Sequence, residues 1–228
     1  MSRTTSEYVK LFPENLQMDP NVLAKFYVKY LPDMGTFVEV GAFDGVSWSH
    51  SSCLAMLGWK GMYIEPYPAY AGICADNHIG HPKVTVVNKA CSHTKGRGTL
   101  YVKDATSTLI LDKASRTYGV SENDTYKVNI DTLNNILEDY DYGPFDLLVI
   151  DVEGAEADVL EGFDIDIYKP RLAIVETHEL SGYPYLNDQG VNEVLAACDA
   201  YFSKASYTKL HSDPLNTFYL ANDFYKDR

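Results

Sequence analysis

The chain has 228 residues, 46% hydrophobic and 22% charged, which is enough for a well-buried core and ordinary for a globular protein, so disordered and fibrous architectures are excluded. With 32 acidic against 19 basic residues the formal net charge is −13, a balance that repels phosphate backbones and argues against a nucleic-acid partner. Cys53, Cys74, Cys91 and Cys198 show neither a CxxC pair nor Cys/His ligand spacing and read as reduced thiols of a cytoplasmic protein. The polar start MSRTTSEYVK, and the lack of any run approaching roughly 20 apolar residues, predict neither export nor membrane insertion.

In chain order, PNVLAKFYVKYL spaces Val22, Leu23, Phe26, Tyr27 and Tyr30 on one face of a helix that Pro32 ends. TFVEV, residues 36–40, is a short strand running into a glycine-bracketed turn, and residues 47–57 are predicted to form the next helix. KGMYIEP gives a second strand ending at Glu65, PAYAGICADNH a helix and KVTVVNKA a third strand, while GTLYVKD and YKVNI are extended pieces flanking a polar insert. Asp131 is expected to cap a helix through DTLNNILEDY; FDLLVID is the fourth core strand, and GAEADVLEG a helix closed by Gly162. PRLAIVETH follows as a fifth strand, then NEVLAACDAYF as a helix and SYTKLHS and NTFYLAND as two last strands. Repeated strand-helix units imply a parallel sheet covered on both faces, and the short final connection forces the last strand to run antiparallel to its neighbour.

In such a sheet ligands bind beyond the carboxyl ends of the strands. After strand one comes EVGAFDG, in which Glu39 precedes Gly41 and Gly45, and strand two ends at Glu65, whose carboxylate can accept two hydrogen bonds from a ribose diol. Residues 88–92 follow strand three, Asp151 to Glu153 strand four, and Glu176 to Glu179 strand five. Taken singly, the glycine turn is also what any sharp connection needs, and Glu65 is also what a solvated strand end looks like. Together they describe a nucleoside-binding half-sheet. A dinucleotide site prefers GxGxxG, whereas GAFDG sets Asp44, with Glu39, against a pyrophosphate of like charge. The same acids favour a sulfonium and an ammonium, as in S-adenosylmethionine.

FVEVGAFDGVSWS, GMYIEPYP, NKACSHTKGRGTLYV, STL, DTLNNIL, LLVIDVEGAEADVLEGFD and LAIVET stand in an order and spacing that resembles the FkbM family of S-adenosylmethionine-dependent methyltransferases, over roughly Thr36 to His178. The most specific element is IDVEGAE followed by VLEG. The resemblance implies an α/β class I methyltransferase fold, Rossmann-like, with a seven-stranded, mostly parallel sheet whose last strand is antiparallel. It implies methyl transfer to a hydroxyl oxygen, on a sugar or a polyketide-type natural product. By motif, Glu39, Gly41, Ala42 and Gly45 would surround the methionyl part of the cofactor, with Asp44 in the same turn. Glu65 would hold the ribose, Asn88, Ala90 and Cys91 would flank the adenine, and Asp151 would sit beside the methyl or amino group. The family often has Asp where this chain has Glu39, so that contact is either direct or through water.

Removing the acceptor proton calls for a general base. Asp151 and His178 are the candidates, with Glu153 third; His178 also reads as a surface histidine at a strand end, and His50 is read as structural. Metal-assisted transfer through Asp151, Glu153, Glu176 and His178 is the rival mechanism, and no metal is expected because the strand-end acids already have a use in the cofactor site. Outside this class stand an NAD-dependent oxidoreductase and a nucleoside-binding protein without catalysis. ELSGYPYLNDQG, through Tyr183 and Tyr185, and the insert over 104–125 are the candidate acceptor-side loops. Glu153 and Glu156 are expected in the first turn of the helix after strand four, facing its macrodipole, above a packed face of Ala155, Val159 and Phe163, with Asp158 solvated. One domain is expected: a helical cover over 1–33, a cofactor-binding core over 36–178, and an acceptor-side segment with the final strands over 179–228.

Overall fold

Apolar runs of four or five residues occupy the centre of the molecule, and their neighbours in sequence supply the helices that cover them. The computed structural model describes residues 3–110, 124–178 and 192–225. Its strands are β1 (Thr36–Val40), β2 (Lys60–Ile64), β3 (Val84–Val87), β4 (Ala90–Cys91), β5 (Gly96–Tyr101), β6 (Thr125–Asp131), β7 (Leu147–Ile150), β8 (Leu172–Glu176), β9 (Tyr207–Ser212) and β10 (Asn216–Ala221). The helices are α1 (Thr5–Val9), α2 (Pro20–Tyr30), α3 (Ser52–Met56), α4 (Pro68–Asn77), α5 (Leu133–Asp139), α6 (Glu156–Glu161), α7 (Ile165–Tyr168), α8 (Glu193–Lys204) and α9 (Asn222–Tyr225).

Seven strands form one sheet in the order β3-β2-β1-β7-β8-β10-β9. The first five of these run parallel, and β10 is antiparallel to both neighbours, as the short β9–β10 connection requires. Alternate residues of each strand feed two cores. Val38, Leu148, Ile150 and Val175 face α5, α6 and α8, while Phe37, Leu147, Val149, Ile174 and Phe218 face α2 and α3. Helix α2 starts where Asp19 accepts the Asn21 amide at 2.8 Å, with Pro20 in its first turn, and it buries Leu23, Ala24 and Tyr27. The four cysteines are buried free thiols. No helix among the described residues is long and apolar enough to cross a membrane.

Three local expectations are corrected. The helix expected over 47–57 forms only at α3, because Phe43 (φ 50°) and Trp48 (φ 59°) hold left-handed backbone and the intervening residues turn instead. Asp131 ends β6; the cap of α5 is Thr132, whose hydroxyl accepts the Asn135 amide at 3.1 Å. KVTVVNKA divides, since Asn88 donates to the carbonyls of Glu65 (2.8 Å) and Pro66 (2.9 Å) and turns the chain from β3 into β4. From there β4 joins a second sheet of order β4-β6-β5, which packs Ala90, Leu100 and Val128 beside Tyr67. This small sheet sits next to the residues that follow β2. The expected acceptor-side loop with Tyr183 and Tyr185, and residues 111–123 of the insert, lie outside the described residues.

Leu148 is fully buried in the central strand β7, paired in register with Val38 and Ala173. Leu148→Ala is expected to cost about 2–5 kcal/mol. Urea unfolding should show a lower midpoint at unchanged slope.

Candidate cofactor and active site

The site grows from the ends of β1 and β7. Gly41 has φ 85°, and a Cβ on it would lie 1.6 Å from the carbonyl oxygen of Asp151, so only glycine lets the two strand ends pass this closely. Beyond Gly41, whose amide donates to the Ile64 carbonyl at 2.9 Å, Asp44 closes the turn: its carboxylate accepts the amides of Val46 (2.9 Å) and Ser47 (2.6 Å) and the Ser47 hydroxyl (2.8 Å). Asp44 is thereby spent on its own loop. The end of α4 holds the turn from behind, through the Asn77 amide on the Asp44 carbonyl (2.9 Å) and the His78 ring 2.8 Å from the Gly45 carbonyl. Sequence reasoning missed this support, since nothing in ADNHIG announces what it packs on.

Two buried carboxyls flank the turn. Glu39 accepts the hydroxyls of Ser49 (2.8 Å) and Ser51, and Glu65 accepts the amides of Phe43 (2.9 Å) and Tyr67 (2.8 Å). Burial pushes both up to about 7, against the lowering effect of those hydrogen bonds. Neither has an ion-pair partner among the described residues. Such acids suit a ligand that brings hydroxyls or positive charge.

Between them lies a cleft in two connected parts. The inner part, about 550 Å³ including open solvent, is bounded by Gly41, Phe43, Glu65, Ala90, Cys91 and Asp151. An outer part, about 930 Å³ including open solvent, is bounded by Glu39, Ala42, Trp48, Lys103, Asp151 and Glu153. Asp151 and Glu153 therefore stand where the two meet. Residues 103–107 of the insert roof both parts, and Thr108 fixes that roof by donating to the Glu153 carbonyl at 2.9 Å. The sequence had no signal for this tether beyond the polarity of the insert. Asn88 and Gly45 do not line the cleft; they shape its walls.

Asp151, Glu153 and Glu176 bring carboxylate oxygens within 4.8 Å of one another. The loop holding them is built by Glu156, whose Oε1 accepts the amides of Val152 (3.1 Å) and Gly154 (2.9 Å), with Glu153 at φ 59° and Gly154 at φ 102°. Glu153 is thus in the loop rather than in the helix's first turn, which corrects that expectation, whereas Glu156 does start α6 and meets free amides as expected, those of the preceding loop. Ala155, Val159 and Phe163 are buried as expected, and Asp158 is half-exposed, 3.6 Å from His93. His178 points back over the strand end, its Nε2 3.3 Å from Glu176, and does not line the cleft. His50 is buried, its carbonyl accepting the Tyr27 hydroxyl at 2.6 Å, and burial pushes its ring down to about 4.

A parallel sheet with one antiparallel strand, a glycine turn after β1 and an acid after β2 define a class I methyltransferase fold. Among solved structures the chain resembles the O-methyltransferase TomG from Streptomyces achromogenes, in complex with SAM (12% identity, 97% of this chain and 90% of that one, TM-score 0.50). It is also similar to an O-methyltransferase from Bacillus cereus in complex with SAH (14%, 95% and 90%, TM-score 0.49) and to a precorrin-6y C5,15-methyltransferase from Geobacter metallireducens GS-15 (12%, 96% and 94%, TM-score 0.49). A search of curated proteins found no match. The model of the methyltransferase FkbM domain matches residues 39–200, and the chain belongs to that family of S-adenosylmethionine-dependent methyltransferases.

Two measurements follow. Gly41→Ala is expected to cost roughly 3 kcal/mol by overpacking and to abolish S-adenosylhomocysteine binding by calorimetry, whereas Gly143→Ala, with open space around the new Cβ, should leave both nearly unchanged. For Glu39 and Glu65 the folded-state pKa lies above the ordinary 4.5, so their contribution to stability is full below about 4.5 and is lost as pH rises through about 7. Melting temperature should fall over that window, and Glu39→Gln should flatten the fall; an unchanged slope would show that Glu39 does not titrate there.

Proposed function

We propose that this protein transfers a methyl group from S-adenosylmethionine to a hydroxyl oxygen of a small molecule, a sugar or a natural-product alcohol. The observation that carries this reading is the two-part cleft with Asp151 at its junction, glycine and aromatic walls on the inner side and an open mouth on the outer. The donor set fits the cofactor: Glu65 suits a ribose diol, Ala90 and Cys91 an adenine face, and Glu39 with the glycine turn the amino and carboxylate ends of the methionyl group. When bound, S-adenosylmethionine supplies an electrophilic methyl on a sulfonium.

The protein's part is alignment and proton removal. Fixing the acceptor in line with the methyl is worth several kcal/mol, on the order of 7 or more where the geometry is close to ideal. Asp151 is the first choice of base, because it borders both parts of the cleft and reaches an alcohol in the outer one. His178 is the second, oriented by Glu176 at 3.3 Å, and Glu153 the third. One further observation favours a second reading: the oxygens of Asp151, Glu153 and Glu176 are compact enough to hold a divalent ion that would polarise the acceptor.

S-adenosylhomocysteine is expected to raise the melting temperature and NAD to leave it unchanged; the opposite pattern would end the methyltransferase reading. Asp151→Ala should lower labelled-methyl turnover by about 100-fold or more, and a wild-type rate would place the base elsewhere. Turnover should survive EDTA. Loss on EDTA with recovery on Mg²⁺ would instead assign the three acids to an ion.

A further inference from the structure

The outer part of the cleft has a wall beyond the residues that the reading above gives to the cofactor. Past Glu39 and Ala42 it is formed by Gln17, Trp48, Lys103 and Thr106. Trp48 is half-buried and held in left-handed backbone (φ 59°), a conformation that a bulky residue keeps only when its surroundings impose it. Asp44 fixes the preceding turn, and the Trp48 amide donates to the Asn15 side chain at 3.3 Å. Its indole meets Phe43 at 5.6 Å, and Phe43 meets Tyr70 at 4.5 Å, so one aromatic row runs from the mouth of the outer part into the inner one. A fixed aromatic plane beside an amide and a hydroxyl is the chemistry that receives the C–H face of a saturated ring while bonding its hydroxyls. The charges around it are uneven: among the described residues, Glu39, Asp104, Asp151 and Glu153 line the same space against Lys103. A phosphate or carboxylate on the ring would enter against that field.

We infer that Trp48 is the floor of the acceptor subsite, and that the acceptor is an uncharged or cationic polyhydroxylated ring, with phosphorylated and carboxylated rings rejected. This inference rests on the methyl-transfer reading above.

Trp48 and Trp59 are the two tryptophans of the chain, and Trp59 is fully buried away from the cleft, so changes in indole emission report on Trp48. Protein saturated with S-adenosylhomocysteine is titrated with a panel of methyl hexopyranosides and with hexose 6-phosphates, by fluorescence and by saturation-transfer NMR. Saturable quenching by at least one hexoside is expected, with the 6-phosphates at least tenfold weaker. Trp48→Ala should lose at least tenfold in hexoside affinity, Trp48→Phe should keep most of it, and S-adenosylhomocysteine affinity should be unchanged in both. Gln17→Ala, at an exposed position that leaves folding undisturbed, should weaken the hexosides several-fold in the same way. No hexoside response from loaded wild type, equal affinity for the 6-phosphates, or unchanged hexoside affinity in Trp48→Ala would overturn the inference. Loss of S-adenosylhomocysteine affinity in Trp48→Ala would overturn it too, by assigning the indole to the methionyl tail. Failure of wild type to bind S-adenosylhomocysteine at all would remove the methyl-transfer reading itself, a result distinct from each of these.

Discussion

The close passage of Gly41 beneath the carbonyl of Asp151 is the contact on which the site depends. Parallel pairing carries β1 and β7 side by side, with the Asp151 amide donating to the Val40 carbonyl at 3.0 Å, and the missing Cβ lets the chain turn there without parting the strands. A wider turn would move Asp151 off the junction of the cleft. The same turn presents the Phe43 amide to Glu65, so the ends of β1, β2 and β7 are tied through one backbone segment. The end of helix α4 holds that segment through Asn77 and His78, while Thr108 ties the roof to the Glu153 carbonyl in the loop after β7.

Charge is arranged around this frame. Of the acids near the turn, Asp44 stabilises its own loop and Glu156 the loop before α6, while Glu39 and Glu65 are buried at the walls with burial opposing their ionisation. Burying a carboxylate is costly, and the cost falls when a cation or a set of hydroxyl donors arrives. A binding site built this way gains from a sulfonium and an ammonium what it gives up when empty of charge partners. The same field opposes anions, which links the cofactor contacts proposed for Glu39 and Glu65 to the acceptor preference proposed from Trp48.

The overall likeness to known methyltransferases, at 12% identity and a TM-score of 0.50, speaks for the shared sheet and its helices. Chemistry has to be read from side chains at the strand ends. There the matched family segment, residues 39–200, includes the glycine turn, the acid after β2 and the Asp151 loop, but not Gln17. The proposed acceptor mouth thus includes a residue from outside the matched stretch, in keeping with a common donor site beside a separately shaped acceptor site.

The sequence by itself determined the order of strands and helices, the parallel sheet with its antiparallel last strand, and the glycine turn and acids at the strand ends. These follow from local signals: apolar runs of strand length, turn residues between them, and a connection too short for a crossover. Only the tertiary structure decided what the buried acids do, because Glu65 accepts the Phe43 amide and Glu39 the Ser49 hydroxyl, groups 22 and 10 residues away in the chain. It likewise shortened the helix after the turn, since left-handed backbone at Phe43 and Trp48 contradicts the propensity of residues 47–57 and is imposed by packing. His178 read as a candidate base from its place at a strand end, and what the structure adds is its neighbour, Glu176 at 3.3 Å from Nε2, which no sequence pattern announced. Periodicity reports which residues are buried; which buried groups meet is settled by contacts between segments far apart in the chain, and those contacts leave no pattern in the sequence.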